Sequence, residues 1–183
     1  WRASGESELS RVSAGDVPAG VESGEHALAV EVHGDAVPTI ENEERVRQAD
    51  FASDPYLQLH VLAASTRTDA DLSFRFRLHH GAGCGDGAGG EIEGENVAES
   101  APIVVPQIRP RRIQWDLSDL PDDVLASATR LEVTWSPADG EPEGVQSTTA
   151  GRDVDVLGLV VIDDVRLSHS EPISDAERLQ RKR

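Results

Sequence analysis

An all-β chain folded as an antiparallel two-sheet sandwich is the architecture this sequence predicts, and three observations predict it. Apolar residues recur with a period of two in one run after another. Clusters of Gly, Pro, Asp and Ser punctuate these runs as turns would. No long amphipathic helices lie between the runs, which disfavours a parallel α/β sheet. A length of 183 residues suits one domain with a tail. Such a chain buries close to ~70% of the surface it exposes when unfolded, so its core suffices without staples.

The strands follow in order. Leu28, Val30 and Val32 alternate with Ala29 and Glu31, and Leu57, Leu59 and Val61 with Gln58 and His60. Leu72, Phe74, Phe76 and Leu78 alternate with Ser73, Arg75 and Arg77, and Leu131, Val133 and Trp135 with Glu132 and Thr134. Each run reads as a strand with one buried and one wet face. Ile103 to Ile108, Ile113 to Leu117 and Leu157 to Leu167 are further candidates. Pro106 confines the first to an edge or a bulge. The last is apolar on both faces, which predicts a central strand. One short internal helix is predicted from about Asp119 through Ala128, with Pro121 in its first turn. Gly81 to Pro102 and Ser136 to Arg152 read as surface loops. Ser174-Asp-Ala-Glu177 is a capping box, and four of the last six residues are basic, so residues 171–183 are expected to form a helical tail or linker.

The net charge is −17, with 34 acidic and 17 basic residues. That balance argues against nucleic acid and anionic membranes as partners, since both need a positive field. No apolar run approaches the ~18 residues of a membrane span. The acids interleave with apolar strands, as on the solvated face of a folded domain. We read the bias as adaptation to high salt, where the Debye length falls to about 3 Å and self-repulsion is screened. The competing reading is an ordinary acidic protein from a GC-rich genome. A single cysteine excludes an internal disulfide. The start at Trp1, without initiator methionine or signal-peptide pattern, is expected of a fragment or processed product.

Motifs of catalysis are missing from the sequence. Gly85 to Gly90 satisfies a dinucleotide-type glycine pattern, but the acidic, non-helical Glu91 to Glu95 follows where a phosphate-facing helix is needed. His79, His80, Cys84 and Asp86 match no familiar metal spacing, and adjacent histidines on a strand point to opposite faces, so they read as surface loop residues. No nucleophile elbow exists, and the abundance of acids makes any carboxylate pair uninformative. The reading is therefore not an enzyme. Of seven aromatic residues, Phe74, Phe76 and Trp135 alternate inward as core. Gln58, His60, Arg75 and Arg77 are expected on adjoining strands of one polar face, as a candidate ligand-binding patch or a plain solvated sheet face.

Three stretches carry a resemblance. Gly158-Leu-Val-Val-Ile-Asp-Asp-Val-Arg-Leu167 is similar to the closing strand of carbohydrate-binding-module and galactose-binding-domain-like jelly rolls. Trp115-Asp-Leu-Ser-Asp-Leu120, followed by Leu131-Glu-Val-Thr-Trp135, resembles the same group's strand, short helix and strand. The opening from Trp1 through Gly24-Glu-His-Ala-Leu-Ala-Val30 resembles its strand entry. The resemblance implies a jelly-roll sandwich over residues 1–170, extracellular or on the cell surface and attached to a larger protein. It implies a structural calcium ion as well, held by Asp163 and by the loop carrying Glu22 and Glu25, with an N-terminal acidic ligand that would precede Trp1. The alternative is that Asp163 and Asp164 cap or solvate a bulge.

The function expected is that of a non-catalytic carbohydrate-binding-like accessory module, with a glycan or cell-surface polymer as partner. The alternative is a structural or interaction domain of an adhesin, surface layer or virion, without a small ligand.

Overall fold

A computed structural model describes residues 1–4, 7–17, 21–32, 37–51, 53–64, 71–81, 96–138 and 159–169. Among these residues, eleven strands form two antiparallel sheets. They are β1 (Arg2–Ser4), β2 (Ser7–Ser13), β3 (His26–Val32), β4 (Thr39–Asn42), β5 (Tyr56–Ala64), β6 (Leu72–His80), β7 (Asn96–Glu99), β8 (Ile103–Val105), β9 (Arg111–Asp116), β10 (Ala128–Pro137) and β11 (Leu159–Ser168). The six-stranded sheet runs β1-β4-β10-β6-β7, with β8 on the other end of β6. The five-stranded sheet runs β2-β3-β11-β5-β9. The result is the jelly-roll sandwich expected from the sequence.

Period two explains the core. Leu72, Phe74, Phe76 and Leu78 of β6 meet Leu57, Leu59, Val61 and Ala63 of β5 between the sheets, and all are buried. Trp135 stacks on Phe74 with centroids 5.6 Å apart, and Trp115 on Phe76 at 6.2 Å. Ring pairs of this kind add about 0.5–1.5 kcal/mol beyond the area they bury. The apolar-on-both-faces strand β11 is central, flanked by β3 and β5. Its second apolar side belongs to a smaller cluster of Ala27, Ala29, Leu62 and Val161, against which Val12, Val17 and Val21 pack. Pro106 ends β8, which among the described residues pairs with β6 and no other strand.

Several expectations are corrected. The internal helix, α1, is shorter than predicted and spans Asp122–Ala126. Pro121 stands at its N-cap instead of in its first turn, and the Ser127 hydroxyl accompanies its end by bonding the Asp123 carbonyl at 2.6 Å. Within the predicted 81–102 loop, β7 continues the ladder on β6. The Ser100 N–H donates to the Phe76 carbonyl at 2.9 Å, and the Phe76 N–H to the Ser100 hydroxyl at 3.0 Å. The predicted tail, the glycine-rich stretch with Cys84 and Asp86, and residues 139–152 of the second loop lie outside the described residues.

Candidate functional site

The two outer sheet faces carry the polar side chains. On the six-stranded sheet, register sets Arg2, Glu41, Glu132, Arg77 and Glu99 in one row across β1, β4, β10, β6 and β7. The row beside it holds Ser4, Thr39, Thr134 and Arg75. On the other side stand Arg130, His79 and Val97. The side chains of Glu41, Glu132, Arg77, Glu99, Thr134, Arg75, Arg130 and His79 point outward because Ile40, Val133, Phe76 and Leu78 between them point into the core.

These charges interlock. Arg75 and Arg77 both bond the Glu99 carboxylate, Arg77 through Nε at 3.0 Å. Glu132 accepts from Arg77 Nη1 at 3.3 Å and pairs with His79 Nε2 at 2.8 Å. Arg130 reaches Glu41 at 3.1 Å and His79 Nδ1 at 3.0 Å. Glu41 and Glu132 are like charges directly opposed, an unfavourable pairing. Arg130 and Arg77, each on one of the two carboxylates, offset it. The outer part of the network stays wet: the Arg75 side chain is 47% exposed and that of Arg77 is 39%. Glu132 and His79 lie deeper, at 14% and 8%. His79, read from sequence as a loop residue, is thus a buried member of β6.

The predicted patch does not assemble as one surface. Arg75 and Arg77 lie on the six-stranded sheet, whereas Gln58 and His60 lie on the outer face of the five-stranded sheet. Strands β5 and β6 are consecutive in sequence but belong to different sheets, with the core between them. Gln58 stands between Arg166 and Gln114, and His60 between Asp163 and Arg112. Both are buried, Gln58 to 1% exposure. Burial lowers the pKa of His60 below its ordinary 6.5 and Arg112 lowers it further, against the opposing pull of Glu22, Asp163 and Asp164.

The residues proposed for calcium come together only in part. Asp163 Oδ2 accepts the backbone N–H of Glu22 at 2.7 Å and of Ser23 at 2.8 Å. The Glu22 carboxylate faces Arg112 Nη2 at 3.3 Å and His60 Nε2 at 3.9 Å. Glu25 joins through its carbonyl, which accepts the Ala14 N–H at 2.9 Å, while its residue is exposed. Calcium needs six to eight oxygens turned toward it. Here Asp163 Oδ2 and Glu22 Oε1 are turned toward N–H donors, and no group of three or more His, Cys, Asp or Glu among the described residues is placed to hold a metal. As arranged, this set does not fit the ion.

Glu132, Glu41, Glu99, Arg130 and His79 escaped the sequence reading as a group. Alternation marks Glu132 and His79 as outward-facing, but their neighbours come from strands about 50 residues away, a pairing no local pattern contains.

No family model and no curated protein matches this chain. Solved structures share its fold. The chain aligns over 94% of its length with the N-terminal CBM22-1-CBM22-2 tandem domain of Xyn10C from Paenibacillus barcinonensis, at 12% identity and a TM-score of 0.53, and spans 45% of that chain. It aligns over 94% with the C-terminal family 22 carbohydrate-binding module of Clostridium thermocellum Xyn10B, at 13% identity and a TM-score of 0.52, and spans 87% of it. The CBM22-2 xylan-binding domain of the Paenibacillus Xyn10C matches at 14% identity and a TM-score of 0.50, over 93% of this chain and 91% of that one. This chain is therefore similar in fold to single carbohydrate-binding modules of the jelly-roll type.

Proposed function

We propose that this chain is a non-catalytic carbohydrate-binding module of a secreted or surface-attached protein, and that it meets a glycan on the outer face of its six-stranded sheet. The observation that carries the reading is the row of two arginines and three glutamates across five strands of a fold shared with such modules. Guanidinium groups donate to sugar hydroxyls and carboxylates accept from them. The hydroxyl of the half-buried Thr134 in the next row does both. The ion pairs already hold these side chains in place, so less side-chain freedom is lost on binding. None of the described residues facing outward here is Phe, Tyr or Trp, so ring stacking adds nothing. The expected affinity is accordingly weak, with Kd of about 0.1–1 mM, or about −5.5 to −4 kcal/mol.

Electrophoresis through gels containing xylan or other polysaccharides, at high salt, tests the reading. Xylan comes first because one solved neighbour is described as a xylan-binding domain. Retardation is expected, and the double substitution Arg75→Ala with Arg77→Ala abolishes it. Retardation that survives both substitutions refutes this face as the site. No retardation on any polymer, together with concentration-dependent self-association, replaces the reading with an assembly role.

A further inference from the structure

We infer that Arg112 is a built-in cation: its guanidinium closes the corner between the 21–25 segment and the last strand, so this corner is held by protein charge and needs no divalent metal. The inference goes beyond glycan binding and lies on the opposite sheet. Three carboxylates, of Glu22, Asp163 and Asp164, converge there. Asp163 and Asp164 are neighbours in sequence and would ordinarily point to opposite faces. The β-bulge in β11 between Asp163 and Arg166 alters that, with Asp164 at φ 48, in the left-handed region. A bulge re-aims a side chain in this way at the cost of local strain. The Asp164 carboxylate thereby reaches the same guanidinium as Glu22.

Arg112 begins on β9, and its row continues through His60 on β5 to Asp163 on β11. Two strand spacings separate β9 from β11, roughly 9.5 Å. The long side chain crosses over His60, and Nη2 donates to Asp164 Oδ2 at 2.7 Å and to Glu22 Oε1 at 3.3 Å. It is only 11% exposed. Asp163 completes the corner from the other side, with one oxygen on two backbone amides of the same segment. The second cation, Arg166, touches Asp164 from outside at 3.4 Å and is 49% exposed. Carboxylates brought this close repel one another, with Asp164 largely buried and Glu22 at the rim, and here Arg112 offsets the repulsion from within the chain.

The test uses the full chain, freed of metal with a chelator and melted with and without about 1 mM calcium, enough for the weaker extracellular sites. The wild-type Tm is expected to stay within about 1 °C, and Arg112→Met is expected to lower it by about 5–10 °C. Arg166→Met, at the exposed cation, is expected to lower it by no more than about 2 °C. A calcium-induced rise of several degrees in the wild type, matched by a one-site calorimetric titration, overturns the inference. So does an Arg112→Met variant that melts with the wild type. If that variant does not fold, Arg112→Lys carries the test, because lysine keeps the charge but reaches less far than the Nη2 that makes both bonds. It is expected to melt a few degrees low, and a lysine variant at the wild-type Tm overturns the role given to the guanidinium.

Discussion

Replacing Gln58 by methionine is expected to stabilise this protein, against the usual direction of core substitutions. Gln58 is 1% exposed, and among the described residues neither Nε2 nor Oε1 of its carboxamide has a partner. Its cross-strand neighbour Gln114 likewise leaves Oε1 buried and unpaired. An unsatisfied buried amide costs about 1–3 kcal/mol. Methionine has nearly the same length and volume, adapts to irregular gaps and carries no such group. The gain is therefore about 1–2 kcal/mol, or a Tm rise of about 2–8 °C for a chain of this size. Urea unfolding is the assay, with an unchanged m-value confirming that the same surface is buried. Gln58→Glu is the companion variant and is expected to destabilise, because it places a charge in the same buried position. A Gln58→Met variant less stable than wild type by about 1 kcal/mol or more refutes the reasoning: ordered water must then satisfy the amide. Polysaccharide retardation is expected to survive Gln58→Met, since the residue lies on the opposite sheet from Arg75 and Arg77.

Other outcomes follow from the same structure. His60 is surrounded by Glu22, Arg112, Asp163 and Asp164, and its folded pKa is below 6.5. The unfolded chain thus binds the proton first, and stability is lost as pH falls from 6.5 through the lowered folded value. His60→Gln is expected to flatten that part of the stability profile between about pH 7.5 and about pH 5, and an identical slope in both proteins excludes this origin. Phe76 is fully buried and stacks on Trp115. Phe76→Ala is expected to cost about 3–5 kcal/mol by denaturant unfolding, and a loss below about 1 kcal/mol would contradict the assigned core. With a net charge of −17, the chain is expected to melt higher as potassium chloride rises from about 0.1 M to about 1 M. A flat or falling Tm rules out self-repulsion as a limit on stability and counts against adaptation to salt.

The sequence by itself determined the strands with an apolar rhythm, the residues they bury and the central place of β11, because alternation along a strand is local and burial reads directly from it. Phe74, Phe76 and Trp135 are legible for that reason, as is the edge position that Pro106 imposes. Short strands without the rhythm, β1, β4 and β7, were not legible. Nor was β2, whose Leu9 packs toward the main core and Val12 toward the smaller outer cluster. Tertiary structure alone decided which outward-facing residues share a surface. Gln58 and Arg75 carry the same local signature, yet pairing between distant strands sends them to opposite sides of the sandwich. The same long-range pairing brings Glu132 to His79, and it carries Arg112 across β5 to Asp164 of the bulge. Side-chain direction is a property of neighbouring residues, whereas the partner across a sheet is chosen by chain segments far apart, through a register that no single segment encodes.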